Sequence, residues 1–125
     1  MNSGIKILIA EDDKYLRNAM RVKLEKTGFI VVTAEDGQQA IEKIKANIPA
    51  LVILDLLMPV KDGFTVLAEI KNDPATQKIP VIVASNLGQK EDVDKAMRLG
   101  ATDYIVKTNM TLGALVEKIT RLIPK

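Results

Sequence analysis

Five short apolar runs limit what this chain can fold into more than any other feature: IKILIA (5–10), FIVVTA (29–34), LVIL (51–54), PVIVA (80–84) and YIV (104–106). Their lengths and Ile/Val content read as strands, and continuous apolarity without alternation implies burial on both faces. Between them lie stretches with helical spacing. Leu16, Met20 and Leu24 form one stripe, ended by Gly28 where a left-handed cap belongs; Ala40, Ile41, Ile44 and Ile48 form the next. Phe64, Leu67 and Ile70 follow, then Val93, Ala96 and Met97 before Gly100, and finally Leu112, Leu115, Ile119 and Leu122. Strand and helix alternate five times without a long linker or a repeat, which predicts a parallel sheet with helices on both faces. At 125 residues the expected unit is one domain, 1–125, with one continuous core.

Right-handed crossovers bring every strand C-terminus to one edge of such a sheet, the edge where open α/β sheets bind ligands. Just past the runs stand Glu11 and Asp12, Asp55, Ser85 and Lys107. Three carboxylates, a hydroxyl and an ammonium are thus predicted to converge, while the end of the second strand, Thr33 and Ala34, adds nothing comparable. Each residue alone has a plainer reading: Asp12 or Asp13 as the N-cap of the first helix, Ser85 as a turn residue, Lys107 as a solvated charge. Asp62 and Gly63 read as a turn and a helix N-cap, and Pro59 as loop geometry.

Composition narrows the chemistry. The chain has no Cys and no His, which removes thiol chemistry, the usual zinc sites and histidine acid-base catalysis. A net charge of +2 with scattered Lys and Arg argues against direct nucleic-acid binding or a polybasic membrane anchor. The apolar runs are strand-sized and the start MNSGIK lacks a signal-peptide core, so the expected location is cytoplasmic. Three neighbouring carboxylates either have raised pKa values or share a cation, and an oxygen-only cluster with an open side suits Mg²⁺.

The pieces KILIAEDDKYLR, LVILDLLMPVKDGFTVL, IPVIVASN and LGATDYIVK, in that order and including the pattern MPVKDG, resemble the receiver domain of two-component response regulators from Lys6 to Leu122. The resemblance implies a flavodoxin-like, doubly wound five-stranded sheet of order 2-1-3-4-5 with five helices. It makes Asp55 the phosphoryl acceptor, a carboxylate nucleophile serviced by a sensor histidine kinase or a phosphotransfer protein. Glu11, Asp12, Asp55 and the main-chain carbonyl of Leu57 become the Mg²⁺ ligands, Glu11 acting through water. Lys107 and Ser85 become the phosphoryl-binding groups, and Ser85 with Tyr104 the switch pair; the plainer reading of Tyr104 is an aromatic that packs at a strand start. The implied output is a change in the face of the fourth helix, last strand and fifth helix, meeting a downstream protein as a monomer or a phosphorylation-promoted dimer.

The chain departs from the family pattern in places. Thr108 stands where Pro commonly follows the lysine, so a cis Lys107–Thr108 bond has less support. Leu57 and Leu87, two residues beyond Asp55 and Ser85, stand where the family tunes phosphoryl loss, and being apolar they cannot orient a hydrolytic water, which predicts slow self-dephosphorylation. Apart from that and Mg²⁺-dependent self-phosphorylation from a phosphodonor, the resemblance implies no enzyme activity. A haloacid-dehalogenase-like phosphatase needs a second Asp at position 57, and a flavin or dinucleotide binder needs a Gly-rich loop after the first strand; neither is present. The alternative left open is a phosphorylation-independent, receiver-like interaction module.

Overall fold

A computed structural model of the chain, describing residues 4–123, places every apolar run in a strand. The order is β1 (Lys6–Ala10), α1 (Lys14–Lys26), β2 (Ile30–Ala34), α2 (Gly37–Ala46), β3 (Leu51–Leu54), α3 (Gly63–Asn72), β4 (Val81–Ser85), α4 (Lys90–Arg98), β5 (Asp103–Val106) and α5 (Leu112–Leu122), with a short 3₁₀ turn at Lys107–Asn109 before α5. The ends of the expected 1–125 domain, residues 1–3 and 124–125, lie outside the described residues.

The strands pair in parallel in the order β2-β1-β3-β4-β5, as expected. Side chains alternate across the sheet, so within each strand odd and even residues build two cores, one on each face, in place of the one continuous core expected. Leu8, Val52, Leu54, Val81 and Val83 pack with Ile41 and Ile44 of α2 and with Val66, Leu67 and Ile70 of α3. Ile7, Ile9, Leu51, Ile53 and Ile82 pack with Met20 and Leu24 of α1 and with Leu115 and Ile119 of α5. Each such Leu or Ile, removed from water, contributes about 2 kcal/mol, so the central strands β1, β3 and β4 hold most of the apolar stabilisation.

Burial on both faces holds for those three strands only. The edge strands are wetter: Ile30 of β2 is exposed and all four residues of β5 are half-buried. Two further expectations change. The α2 stripe does not reach Ile48, because the helix ends at Ala46 with Asn47 in an extended conformation, leaving Ile48 half exposed. Of the α4 stripe only Ala96 is buried, since that helix lies over the sheet margin and Met97 turns outward.

Helix starts follow from capping chemistry. The side chains of Asp13, Asp36, Asp62 and Thr111 accept hydrogen bonds from the first free N–H groups of α1, α2, α3 and α5. Helix α4 begins after Gln89 with no side-chain cap. Gly28 and Gly100 end α1 and α4 at φ of 106° and 108°, conformations that suit glycine. Among the described residues there is no cis peptide bond, the Lys107–Thr108 bond included, and no helix is long and apolar enough to cross a membrane.

Candidate phosphoacceptor and metal site

Register puts the site together. Ala10 pairs with Ala34 and Leu54, Leu54 with Val83, and Ser85 with Val106, so the strands finish almost level. Glu11, Asp55 and Lys107 are each the first residue past a strand. The ladder continues one rung further, with Glu11 N–H donating to Ala34 O and Asp55 N–H to Ala10 O, both at 3.0 Å. Asp55 is 3% exposed and Glu11 1%, so both carboxylates sit at the sheet edge yet are covered by the loops above them. One cover is the start of α3: a Cβ on Gly63 would lie 2.2 Å from the Asp55 carbonyl oxygen, so only glycine permits this approach.

Carboxylate oxygens of Glu11, Asp12 and Asp55 all lie within 4.8 Å of one another. Lys107 Nζ bridges two of them, 2.6 Å from Glu11 Oε1 and 3.1 Å from Asp55 Oδ2. The other Asp55 oxygen accepts from Leu57 N–H at 3.3 Å, and Glu11 Oε2 accepts from Asp13 N–H at 3.1 Å. A cleft of about 270 Å³ opens above the cluster, lined by Glu11, Asp12, Asp13, Asp55, Leu57, Asn86 and Lys107.

The electrostatics carry a signature. Burial pushes the Glu11 carboxyl up to about 7, against the opposing pull of its hydrogen bonds from Lys107 and the Asp13 N–H. Asp55 is also raised, by burial, against the charge of Lys107 and hydrogen bonds from Glu11, Lys107 and Leu57. Burial draws Lys107 down, but the hydrogen bond to Glu11 and the charges of Asp55 and Glu11 outweigh it and raise the ammonium overall. Like charges about 4 Å apart repel by about 4 kcal/mol per pair at a protein-like effective dielectric. With all three carboxylates ionised, the state that a bound cation favours, the one ammonium leaves two formal negative charges. A divalent, oxygen-seeking cation balances that remainder, so the donor set fits Mg²⁺.

The sequence-predicted residues divide into two groups. Glu11, Asp12, Asp55, Leu57 and Lys107 share the cleft. Ser85 is wholly buried at the end of β4, its Oγ accepting from Leu87 N–H at 3.1 Å. The Tyr104 hydroxyl donates to the Leu87 carbonyl, and its pKa is raised by burial against a hydrogen bond with Ser85. Ser85 and Tyr104 therefore meet at Leu87, Ser85 Oγ on its N–H and the Tyr104 hydroxyl on its carbonyl, as well as through their own hydrogen bond. Asp13, open to two readings in the sequence, caps α1, and Asp12 is exposed beside the cluster.

Other contacts escaped the sequence reading. Asn86 lines the cleft as the first residue past β4, a placement that the strand-end argument already used for Asp55 and Lys107. Arg17 lies under the β1–α1 loop and ion-pairs at 3.3 Å with Glu35, the residue after β2, so that strand end does contribute. No residue-type pattern announces such a contact.

The sequence model of the response regulator receiver domain matches residues 7–120. The chemotaxis protein CheY of Bacillus subtilis (strain 168) is 44% identical over 103 residues, 82% of this chain and 84% of that protein. The probable transcriptional regulator ycf27 of Guillardia theta is 38% identical over 102 residues, 82% of this chain but only 39% of that longer protein's length. Among solved structures, the Mn(2+)-bound form of response regulator Rcp1 superposes with a TM-score of 0.85 at 28% identity, covering 97% of this chain and 99% of that one. With strand order, acidic cluster and sequence all agreeing, the chain belongs to the response regulator receiver domain family, the receiver module of two-component signalling.

Proposed function

We propose that this chain is a single receiver domain, 1–125, that takes a phosphoryl group onto Asp55 from the phosphohistidine of a sensor histidine kinase or phosphotransfer protein. The observation that carries the reading is the convergence of Glu11, Asp12, Asp55 and Lys107 on one open cleft. An Asp55 carboxylate oxygen attacks phosphorus, the phosphorus–nitrogen bond of the donor breaks, and the imidazole nitrogen leaves with the electron pair. Leu57 N–H steadies one Asp55 oxygen, and Lys107, already on the other, is placed to meet phosphoryl oxygens. Glu11, Asp12, Asp55 and the Leu57 main-chain carbonyl would hold Mg²⁺. When bound, that ion supplies charge neutralisation at the phosphoryl oxygens. The manganese named for Rcp1 is a precedent for a divalent ion on this fold.

In this reading the chain is a stoichiometric acceptor in the cytoplasm, with slow self-dephosphorylation in place of enzymatic turnover. Leu57 lines the cleft with its side chain more than half exposed and has no group to orient a water. The phosphorylated protein should persist for minutes or longer; a lifetime of seconds would contradict this. A phosphoryl group competing for the Ser85 hydroxyl pulls on the Ser85–Leu87–Tyr104 contacts and shifts the population of the α4-β5-α5 face toward a state that a downstream protein or a second copy binds. No direct nucleic-acid or membrane contact is part of the reading.

Transfer of labelled phosphoryl from a small phosphodonor tests the chemistry. Uptake should require Mg²⁺ and stop with a chelator; uptake unaffected by chelation would count against the metal, and no uptake would favour a phosphorylation-independent interaction module. The switch is tested by amide spectra, which should differ between free and phosphorylated protein along residues 86–122.

A further inference from the structure

We propose that Arg17 is a positioning residue for the acidic pair, setting where Glu11 and Asp12 present their carboxylates to a divalent cation. The inference rests on the metal-dependent reading above. Its starting point is an imbalance within the cluster. Glu11 is buried and tied through both carboxylate oxygens, to Lys107 and to the Asp13 N–H. The Asp12 carboxylate is exposed and, among the described residues, makes no hydrogen bond. No hydrogen bond among the described residues holds its rotamer, so the backbone beneath it sets where the side chain starts.

That backbone leaves the sheet after the rung from Glu11 N–H to Ala34 O. Arg17, in the first turns of α1, reaches back under it. Its Nη1 donates to the Glu11 carbonyl at 2.9 Å and lies 3.4 Å from the Asp12 carbonyl, a weaker contact. Its Nη2 pairs with Glu35 Oε1 in the β2–α2 loop at 3.3 Å. The Arg17 side chain is only 11% exposed, so a cation has been drawn out of water to make these contacts. One guanidinium fork thus ties the two acidic residues' main chain to a neighbouring loop. A lysine has one nitrogen and cannot span both partners with the same geometry. Because Glu35 offsets the Arg17 charge, what remains is geometric. Groups that orient metal ligands without touching the metal typically govern affinity by about tenfold or more.

The test is Mg²⁺ affinity of the unphosphorylated protein by calorimetric titration, with thermal midpoints recorded without metal. Arg17→Met should weaken Mg²⁺ binding about tenfold, with Arg17→Lys recovering only part of it. Glu35→Ala, at an exposed position, should give a smaller loss in the same direction while leaving the fold intact. A brace serving stability alone would lower the thermal midpoint and leave affinity within about twofold of wild type in all three variants, which overturns the proposal. Should Arg17→Met fail to fold, unchanged affinity in Arg17→Lys and Glu35→Ala overturns it equally. Wild-type protein that binds Mg²⁺ but accepts no phosphoryl group would sink the phosphoacceptor reading while the Arg17 comparison still stood.

Discussion

The loop after β1 and the loop after β4 flank the same cleft, yet they are built to opposite specifications. The first is pinned by the Glu11 rung to β2, by Asp13 capping α1, by the Asp13 N–H on Glu11 and by Arg17 beneath its carbonyls. The second carries the Ser85 and Tyr104 contacts to Leu87 and then enters α4, which has no side-chain cap and buries only Ala96. Lys95 Nζ stands 4.2 Å from the centroid of the Phe64 ring, a tie from α4 to α3. A group that holds a cation gains from fixed geometry, whereas a group that signals must rearrange at low cost, and such elements come from the least stable part of a fold. The sheet edge separates the two tasks.

Among substitutions that spare Asp55 itself, the largest expected effect comes from the ammonium that bridges Glu11 and Asp55. Lys107→Ala leaves Glu11 and Asp55 without their shared ammonium and should slow phosphoryl uptake by roughly 10²-fold, as loss of a preorganised charge donor commonly does. Stopped-flow or mass-resolved phosphorylation rates measure it, and a loss below about tenfold would mean that the cluster works without its lysine.

The strain stored on that side should appear in stability. The Glu11 carboxyl sits at about 7 in the folded protein against an ordinary value near 4.5. Over that window the folded state binds more protons than the unfolded state, so stability falls as pH rises, and Asp55, also raised, adds in the same sense. Lys107 is raised above an ordinary value of 10.5, so its contribution stays intact throughout this range. Denaturant unfolding of metal-free protein should show the decline between pH 4.5 and 7, and saturating Mg²⁺ should flatten it. A flat metal-free profile would contradict the buried-carboxylate account.

On the loose side, Gln89→Asp supplies the missing N-cap and should stabilise α4 by about 1 kcal/mol. Hydrogen exchange should slow across residues 90–98, and the spectral change on phosphorylation should shrink. Equal exchange in both proteins would mean that α4 is not limited by its start. The smallest effect is expected at Val60, whose φ of 69° places a β-branched, exposed residue in the left-handed region. Relief of that conformation, less the added chain entropy of glycine, should make Val60→Gly more stable by about 0.5 kcal/mol, readable as a shift in denaturation midpoint.

Much of this was legible before any coordinates. Runs of Ile and Val announce buried strands, and parallel topology brings the residues just past them to one edge, which marks Glu11, Asp55 and Lys107. What stayed hidden depends on contacts between a side chain and distant backbone. Arg17 looks like an ordinary polar residue of an amphipathic helix, and Gly63 like a turn residue; only coordinates show the guanidinium under two carbonyls and the helix start against Asp55. Periodicity also cannot see where packing stops. Ile48 continues the α2 pattern beyond a helix that ends at Ala46, and Met97 continues the α4 pattern on a helix with little to pack against.

The account stands or falls on Asp55. Intact mass should be recorded after incubation with a small phosphodonor and Mg²⁺, for the wild-type protein and for Asp55→Asn. The prediction is a gain of one phosphoryl group on the first and none on the second; equal gain on both, or none on either, would contradict it.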